Sequence, residues 1–168
     1  GVGWCKEEVL ACGYSWEDRG ERCDEFLQTM INLWTQPVAS FEGKHVQLAP
    51  CRMDPKPVQK PHLPIIVGGH GGPSLRRAAR FGAGWYGFAL DVATTGAVLA
   101  QLDEALAAAG RSREGFEIVI TPVRTTPEDL EGFKALGVDR LVVQLGSQKP
   151  ERVARRMEEL AGLVAAAA

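Results

Sequence analysis

The sequence predicts an α/β fold made of parallel βα units, and three observations carry the prediction. Short apolar runs of strand type, 65–67, 84–88, 116–120 and 140–145, alternate with stretches of helical periodicity. Each run is separated from the next by a segment long enough to hold a helix, which calls for parallel pairing through right-handed crossovers. The composition, 45% hydrophobic and 24% charged over 168 residues, is that of one globular domain able to bury a core.

In chain order, Gly1-Val2-Gly3-Trp4 reads as the end of a strand, followed by a short helix over 5–12 with Gly13 beyond its C-terminus. A long helix is expected from Ser15 to about Trp34, with Ser15 as its cap and Arg22 and Glu25 as an i, i+3 pair; Pro37 stops it. Residues 38–64 form an irregular connector or lid. A hairpin is expected at 41–46 with Gly43 in the turn, and then a series of prolines bars a helix or a central strand. After the strand at 65–67, Pro73 occupies a first-turn position of a helix ending near Gly82. The strand at 84–88 leads to a helix over 94–109, and the strand at 116–120 to a helix capped by Thr126-Pro127-Glu128-Asp129 and ended at Gly137. The strand at 140–145 precedes a last helix from Pro150 to about Ala165. A complete (β/α)8 barrel takes about 250 residues. Four units and a stub therefore leave two architectures open, an open doubly wound sheet or the C-terminal half of a barrel.

Charge and composition narrow the function classes. Nineteen basic against twenty-one acidic residues give no electrostatic reason to expect nucleic acid or an anionic membrane. No apolar run reaches the length of a membrane span and no signal peptide opens the chain, so a cytoplasmic location is expected. The chain starts with Gly1 rather than Met, which suggests a fragment or a processed product. Cys5, Cys12, Cys23 and Cys51 form no CxxC pair and His45, His62 and His70 have no zinc-ligand spacing, so reduced thiols and no metal are expected.

The strongest chemical signal is Ile65-Ile66-Val67-Gly68-Gly69-His70-Gly71-Gly72-Pro73. A strand feeding a glycine turn and a helix start is a physical anion site, because the backbone can approach a ligand and the helix dipole favours negative charge. It lacks the lysine and Ser/Thr of a Walker A loop and is not GxGxxG. His70 is a candidate acid, base or phosphate donor, and Trp85 and Tyr86 could flank a flat ligand or belong to the core. Asp91, Arg124 and Gln144 fall at the C-terminal ends of strands, with Arg124 a candidate second phosphate contact. Arg76, Arg77 and Arg80 read as a solvated helix face.

The ordered series Gly1-Val2-Gly3-Trp4, Lys6-Glu7-Glu8, Arg19-Gly20-Glu21-Arg22, Asp24-Glu25 and Phe41-Glu42-Gly43 resembles the middle of a bacterial luciferase-like flavin monooxygenase. So do Pro57-Val58-Gln59-Lys60-Pro61, Pro64 through Gly69, Leu75-Arg76-Arg77-Ala78-Ala79-Arg80 and Gly82-Ala83-Gly84-Trp85, and the resemblance is nearest to the branch using coenzyme F-420. It implies a TIM barrel with the cofactor at the C-terminal ends of the strands. Gly1-Val2-Gly3 would close strand four, 65–67 would be strand five and Gly84-Trp85 would open strand six. The resemblance further implies that Gly68, Gly69, His70 and Gly71 hold the phosphate end of F-420, or alternatively FMN, with Gly68 and Gly69 presenting N–H groups. Trp4 and Trp85 would wall the site. Ala83 departs from the Asp that relatives usually carry there. The groups that face the reactive ring in such proteins lie on earlier strands, so no catalytic residue is assigned. A small organic molecule is the expected substrate. Two rivals stand beside this reading: a non-catalytic half-barrel that dimerises, and an unrelated phosphate-binding α/β protein.

Overall fold

In the computed structural model the chain begins with two helices, α1 (Lys6–Ala11) and α2 (Arg19–Thr35), and an antiparallel hairpin, β1 (Ala39–Glu42) with β2 (Gln47–Cys51). Then come four alternating units: β3 (Ile66–Gly68) and α3 (Gly72–Phe81), β4 (Gly84–Leu90) and α4 (Val92–Ala108), β5 (Glu117–Pro122) and α5 (Pro127–Ala135), β6 (Arg140–Leu141) and α6 (Pro150–Ala167). The structure describes residues 1–146 and 149–167.

The four later strands pair in parallel in the order β3-β4-β5-β6. Right-handed crossovers between strands laid down in sequence order place the three connecting helices, α3, α4 and α5, on the same face. Among the described residues the order does not reverse, so no switch point of a doubly wound sheet occurs there. The arrangement is that of consecutive staves of a barrel. Side chains confirm the one-sided covering. Val67, Trp85, Ile118 and Ile120 form one core with Leu75, Ala78 and Ala79 of α3, Val98, Leu99, Leu102 and Leu106 of α4, and Phe133 of α5. The alternate residues occupy the other face, where Ile66 and Phe88 are exposed and the Tyr86 hydroxyl lies 2.7 Å from Thr121 Oγ1. Gly87 belongs to the packed face. A Cβ there would come within 2.7 Å of Trp85 and Leu90 and within 2.8 Å of Ile120.

Several expectations need correction. Residues 1–4 form no strand: Gly3 has φ +86, and no ladder partner runs beside them among the described residues. The last strand is two residues long rather than six, although Val142 N still donates to Ile120 O at 2.8 Å. Pro122 on β5 has no N–H with which to extend that ladder. Helix α2 starts at Arg19, not Ser15, because the Ser15 and Trp16 carbonyls accept from the Arg22 and Arg19 side chains. The Ser15 hydroxyl turns to Glu17. Arg22 pairs with Asp18, and Glu25 is engaged elsewhere.

Glu25 reaches from α2 to the hairpin. Its carboxylate accepts from the backbone N–H groups of Lys44, His45 and Val46 at 2.9, 2.8 and 2.9 Å, three donors that a four-residue turn would otherwise leave to solvent. Beside it, Glu21 accepts from Lys44 Nζ at 2.8 Å and meets His45 Nε2 at 3.0 Å. The expected solvated face of α3 holds for Arg76 and Arg80 but not for Arg77. Arg77 is only 7% exposed, and it ties α3 to α2 through an ion pair with Asp24 and a 2.9 Å bond to Gly20 O.

Removing Arg77 strands Asp24 at a helix interface, so Arg77→Met should lower the unfolding free energy by roughly 2–4 kcal/mol in denaturant titration. Hydrogen bonds from His45 and then Lys44 draw the Glu21 carboxyl from 4.5 down to about 2. A carboxyl depressed by folding contributes stability above its unfolded value and loses it as pH falls toward the folded one. The hairpin resonances in NMR should therefore shift away from their docked positions between pH 4.5 and about 2, and Glu21→Gln should shrink that change.

Candidate cofactor-phosphate site

The glycine turn sits where β3 ends and α3 begins, at the C-terminal edge of the sheet. Gly69 has φ +117, a conformation open to glycine, and a Cβ there would come within 2.9 Å of Ser74 Oγ. Gly71 precedes the helix in extended conformation and Pro73 fills a first-turn position, as the sequence predicts. The Ser74 hydroxyl and the Ser74 and Leu75 N–H groups all donate to Gly71 O, which closes the first turn.

Three successive donors remain. The backbone N–H groups of His70, Gly71 and Gly72 make no hydrogen bond to protein among the described residues. They lie at the positive end of a ten-residue helix. The Gly69 N–H, in contrast, donates to Tyr86 O at 3.3 Å, so the unpartnered donors lie one to three residues after the Gly68-Gly69 pair. Gly68 is the last residue of β3, paired with Tyr86. Arg76 adds a cation: its Nη1 lies 3.2 Å from where a Gly72 Cβ would stand. That placement was hidden in the sequence, where Arg76 looks like any surface arginine. Its only signal is the four-residue spacing from Gly72.

The other expected site residues are dispersed. Trp85 is fully buried and packs in the core, and its Nε1 donates to Gly69 O at 2.8 Å. It buttresses the turn from beneath and presents no face to a ligand. Trp4 is 88% exposed at the start of the chain and makes no bond or ring contact with the turn. The His70 ring packs edge-on against Trp85, centroids 6.2 Å apart, and its Nε2 accepts from the Phe88 N–H at 3.0 Å. Asp91 caps α4 by accepting from the Thr94 N–H at 2.7 Å, and that bond, followed by one to the Thr94 side chain, holds its carboxyl below the ordinary range. Arg124 pairs with Asp129 at 3.2 Å, inside the Thr126–Asp129 capping box of α5. The four cysteines are unpaired. No group of three or more metal-ligating side chains occurs among the described residues, and no helix there is long and apolar enough to cross a membrane.

A family model described as luciferase-like monooxygenase matches residues 1–136. An uncharacterised protein of Mycobacterium tuberculosis is 33% identical over 167 residues, covering 98% of this chain and 58% of that protein. An FMNH(2)-dependent dimethylsulfone monooxygenase of Pseudomonas putida is 34% identical over 87 residues, 50% of this chain and 24% of that enzyme. Among solved structures, an F420-dependent secondary alcohol dehydrogenase superposes with a TM-score of 0.71 at 15% identity, covering 85% of this chain and 62% of its own. Monooxygenase RslO1 from Streptomyces bottropensis superposes with a TM-score of 0.58 at 22% identity, covering 94% of this chain and 46% of its own. The fold is thus that of these luciferase-like TIM-barrel enzymes, present as a partial barrel. The chain spans 58% of the length of the Mycobacterium relative.

Gly69→Ala combines a disfavoured backbone with a clash against Ser74. It should cost roughly 1–3 kcal/mol in thermal or denaturant unfolding, while Gly68→Ala, whose Cβ would meet Tyr86 no closer than 3.6 Å, should cost clearly less.

Proposed function

Because the chain belongs to the luciferase-like monooxygenase family, we propose that it carries the phosphate-holding part of a cytoplasmic oxidoreductase that uses coenzyme F-420, or alternatively FMN, on a small organic substrate. The observation that carries the reading is the run of three N–H groups at His70, Gly71 and Gly72, unpartnered among the described residues, at the N-terminus of α3 and flanked by Arg76. Both cofactors bear a phosphate group, and an oxyanion is what such a cradle binds. The Gly69–Ser74 approach keeps the turn in this shape, since a Cβ at Gly69 would come within 2.9 Å of Ser74 Oγ. An F420-dependent structural neighbour and an FMNH(2)-dependent relative support a flavin-type cofactor of either kind.

When bound, the cofactor would supply hydride transfer or oxygen activation. The residues of this chain would hold its phosphate end: backbone N–H groups donate, Arg76 adds charge, Trp85 stiffens the turn from below and Gly68 lets β3 end beside it. Trp4 is the remaining proposed wall. No side chain of this chain is assigned an acid or base role.

A second reading is favoured by the partly exposed second face of the sheet. Ile66, Phe88 and Val142 are exposed on it or at its end, and β3 and β6 are open edges. Such surface is a liability unless covered, and a second copy of the chain could cover it as a homodimer.

Titration of the purified protein with F-420, FMN and riboflavin tests the first reading. Binding of F-420 or FMN at least about tenfold tighter than riboflavin, which lacks the phosphate, supports it. Equal affinity for riboflavin, or no binding of any of the three, rejects it. Light scattering on the same sample tests the second, which a monomeric mass would dismiss.

A further inference from the structure

We infer that His70 is a positioning residue: a latch that joins the anion cradle to the end of β4 and holds only while its imidazole is neutral. The inference rests on the cradle reading above and assigns its regulation.

The parallel ladder shows why a latch is needed. Val67 pairs with Trp85, and the Gly69 N–H donates to Tyr86 O. A regular parallel ladder would next send the Phe88 N–H to Gly69 O. That bond is not made, because Gly69 leaves the strand at φ +117 and its carbonyl accepts from Trp85 Nε1 instead. His70 Nε2 takes the place of the missing carbonyl, accepting from the Phe88 N–H at 3.0 Å. The side chain that follows the departure from the ladder thus supplies the acceptor the ladder has lost.

The far end of β4 is shaped around this bond. The β4–β5 register breaks between Phe88 and Leu90, and Ala89 has φ +55, the single non-glycine residue with positive φ among the described residues. Strain of this kind persists only where neighbours hold it. The His70 ring, set edge-on against Trp85 and bonded to Phe88, is a neighbour that holds both the turn and the bulge.

An imidazole that accepts at Nε2 carries its proton at Nδ1. A second proton converts Nε2 into a donor facing another donor, and the latch must open. The charged groups on the surrounding elements are Arg76 beside Gly72, Asp91 engaged with Thr94 and Arg124 engaged with Asp129, and none forms a salt bridge to the ring among the described residues. The sign of the pH effect is therefore diagnostic. A latch weakens phosphate binding on acidification, whereas an imidazolium touching the phosphate would strengthen it.

The test compares wild type with His70→Gln, whose carbonyl can accept but does not titrate, and His70→Ala. FMN affinity is measured from about pH 8 to about pH 5.5, across the range in which histidine changes charge. Titration of the FMN phosphate is common to all three proteins and cancels in the ratios. The expected result is that wild type loses about tenfold in affinity relative to His70→Gln on acidification, and that His70→Ala is about tenfold weaker than His70→Gln throughout. Relative tightening of the wild type at low pH, or parallel profiles for wild type and His70→Gln, overturns the latch. A second readout needs no ligand. In nitrogen-resolved NMR of the wild type, His70 should show the Nδ1–H tautomer and the Phe88 amide should shift in step with its titration; an Nε2–H tautomer would overturn the proposal. If FMN and F-420 both fail to bind while this signature is present, the cofactor reading falls and the latch stands.

Discussion

The fully buried indole of Trp85 is the contact on which the glycine turn depends. Its ring fills the space between β4 and the helices, and its single polar atom reaches Gly69 O at 2.8 Å. A buried indole N–H requires an acceptor, and here the acceptor is a carbonyl of the turn. Core packing and turn geometry are therefore coupled through one side chain. Once Gly69 O is committed to Trp85, the Phe88 N–H needs another acceptor and His70 provides it. The three donors that follow are then left facing outward at the start of α3.

Around this point the molecule is built on one side of a sheet. Strands added in sequence order with crossovers of one hand collect α3, α4 and α5 against the same face, and the core lies between them. Polar contacts tie the N-terminal segment both to α3 and within itself. Arg77 joins α3 to Asp24 and Gly20 of α2, and Glu25 gathers three N–H groups of the hairpin turn. Arg111 performs a similar task at the other end of α3, donating to Ala79 O and Gly82 O at 2.7 and 2.9 Å and satisfying carbonyls that the helix end leaves open. Arginine suits all these positions because its planar fork can serve two acceptors at once.

Membership of the luciferase-like monooxygenase family and the partial-barrel fold agree with each other. The parallel staves leave their ends at one edge, where the β3–α3 turn, the β4 bulge and the Asp91 cap meet. This is the edge at which α/β barrels place ligands. The opposite consequence of the same geometry is the sheet face on which Ile66 and Phe88 are exposed beside the Tyr86–Thr121 pair, which in a closed barrel would be interior.

Local sequence was enough for features that depend on neighbouring residues. The βα rhythm, the glycine turn before Pro73, the Thr126–Asp129 capping box and the hairpin with Gly43 in its connection were legible because periodicity, φ preference and capping act within a few residues. Strand order, and with it the choice of barrel over doubly wound sheet, required the fold, since it concerns which strands meet across some twenty to thirty residues. The roles of the charged side chains required it too. Arg77 and Arg76 are adjacent and alike on paper, yet one is buried against Asp24 and the other stands beside Gly72. His70 was legible as a residue of the site but not as an acceptor, because its partner, the Phe88 N–H, lies eighteen residues away and is unsatisfied only once Gly69 turns out of the ladder.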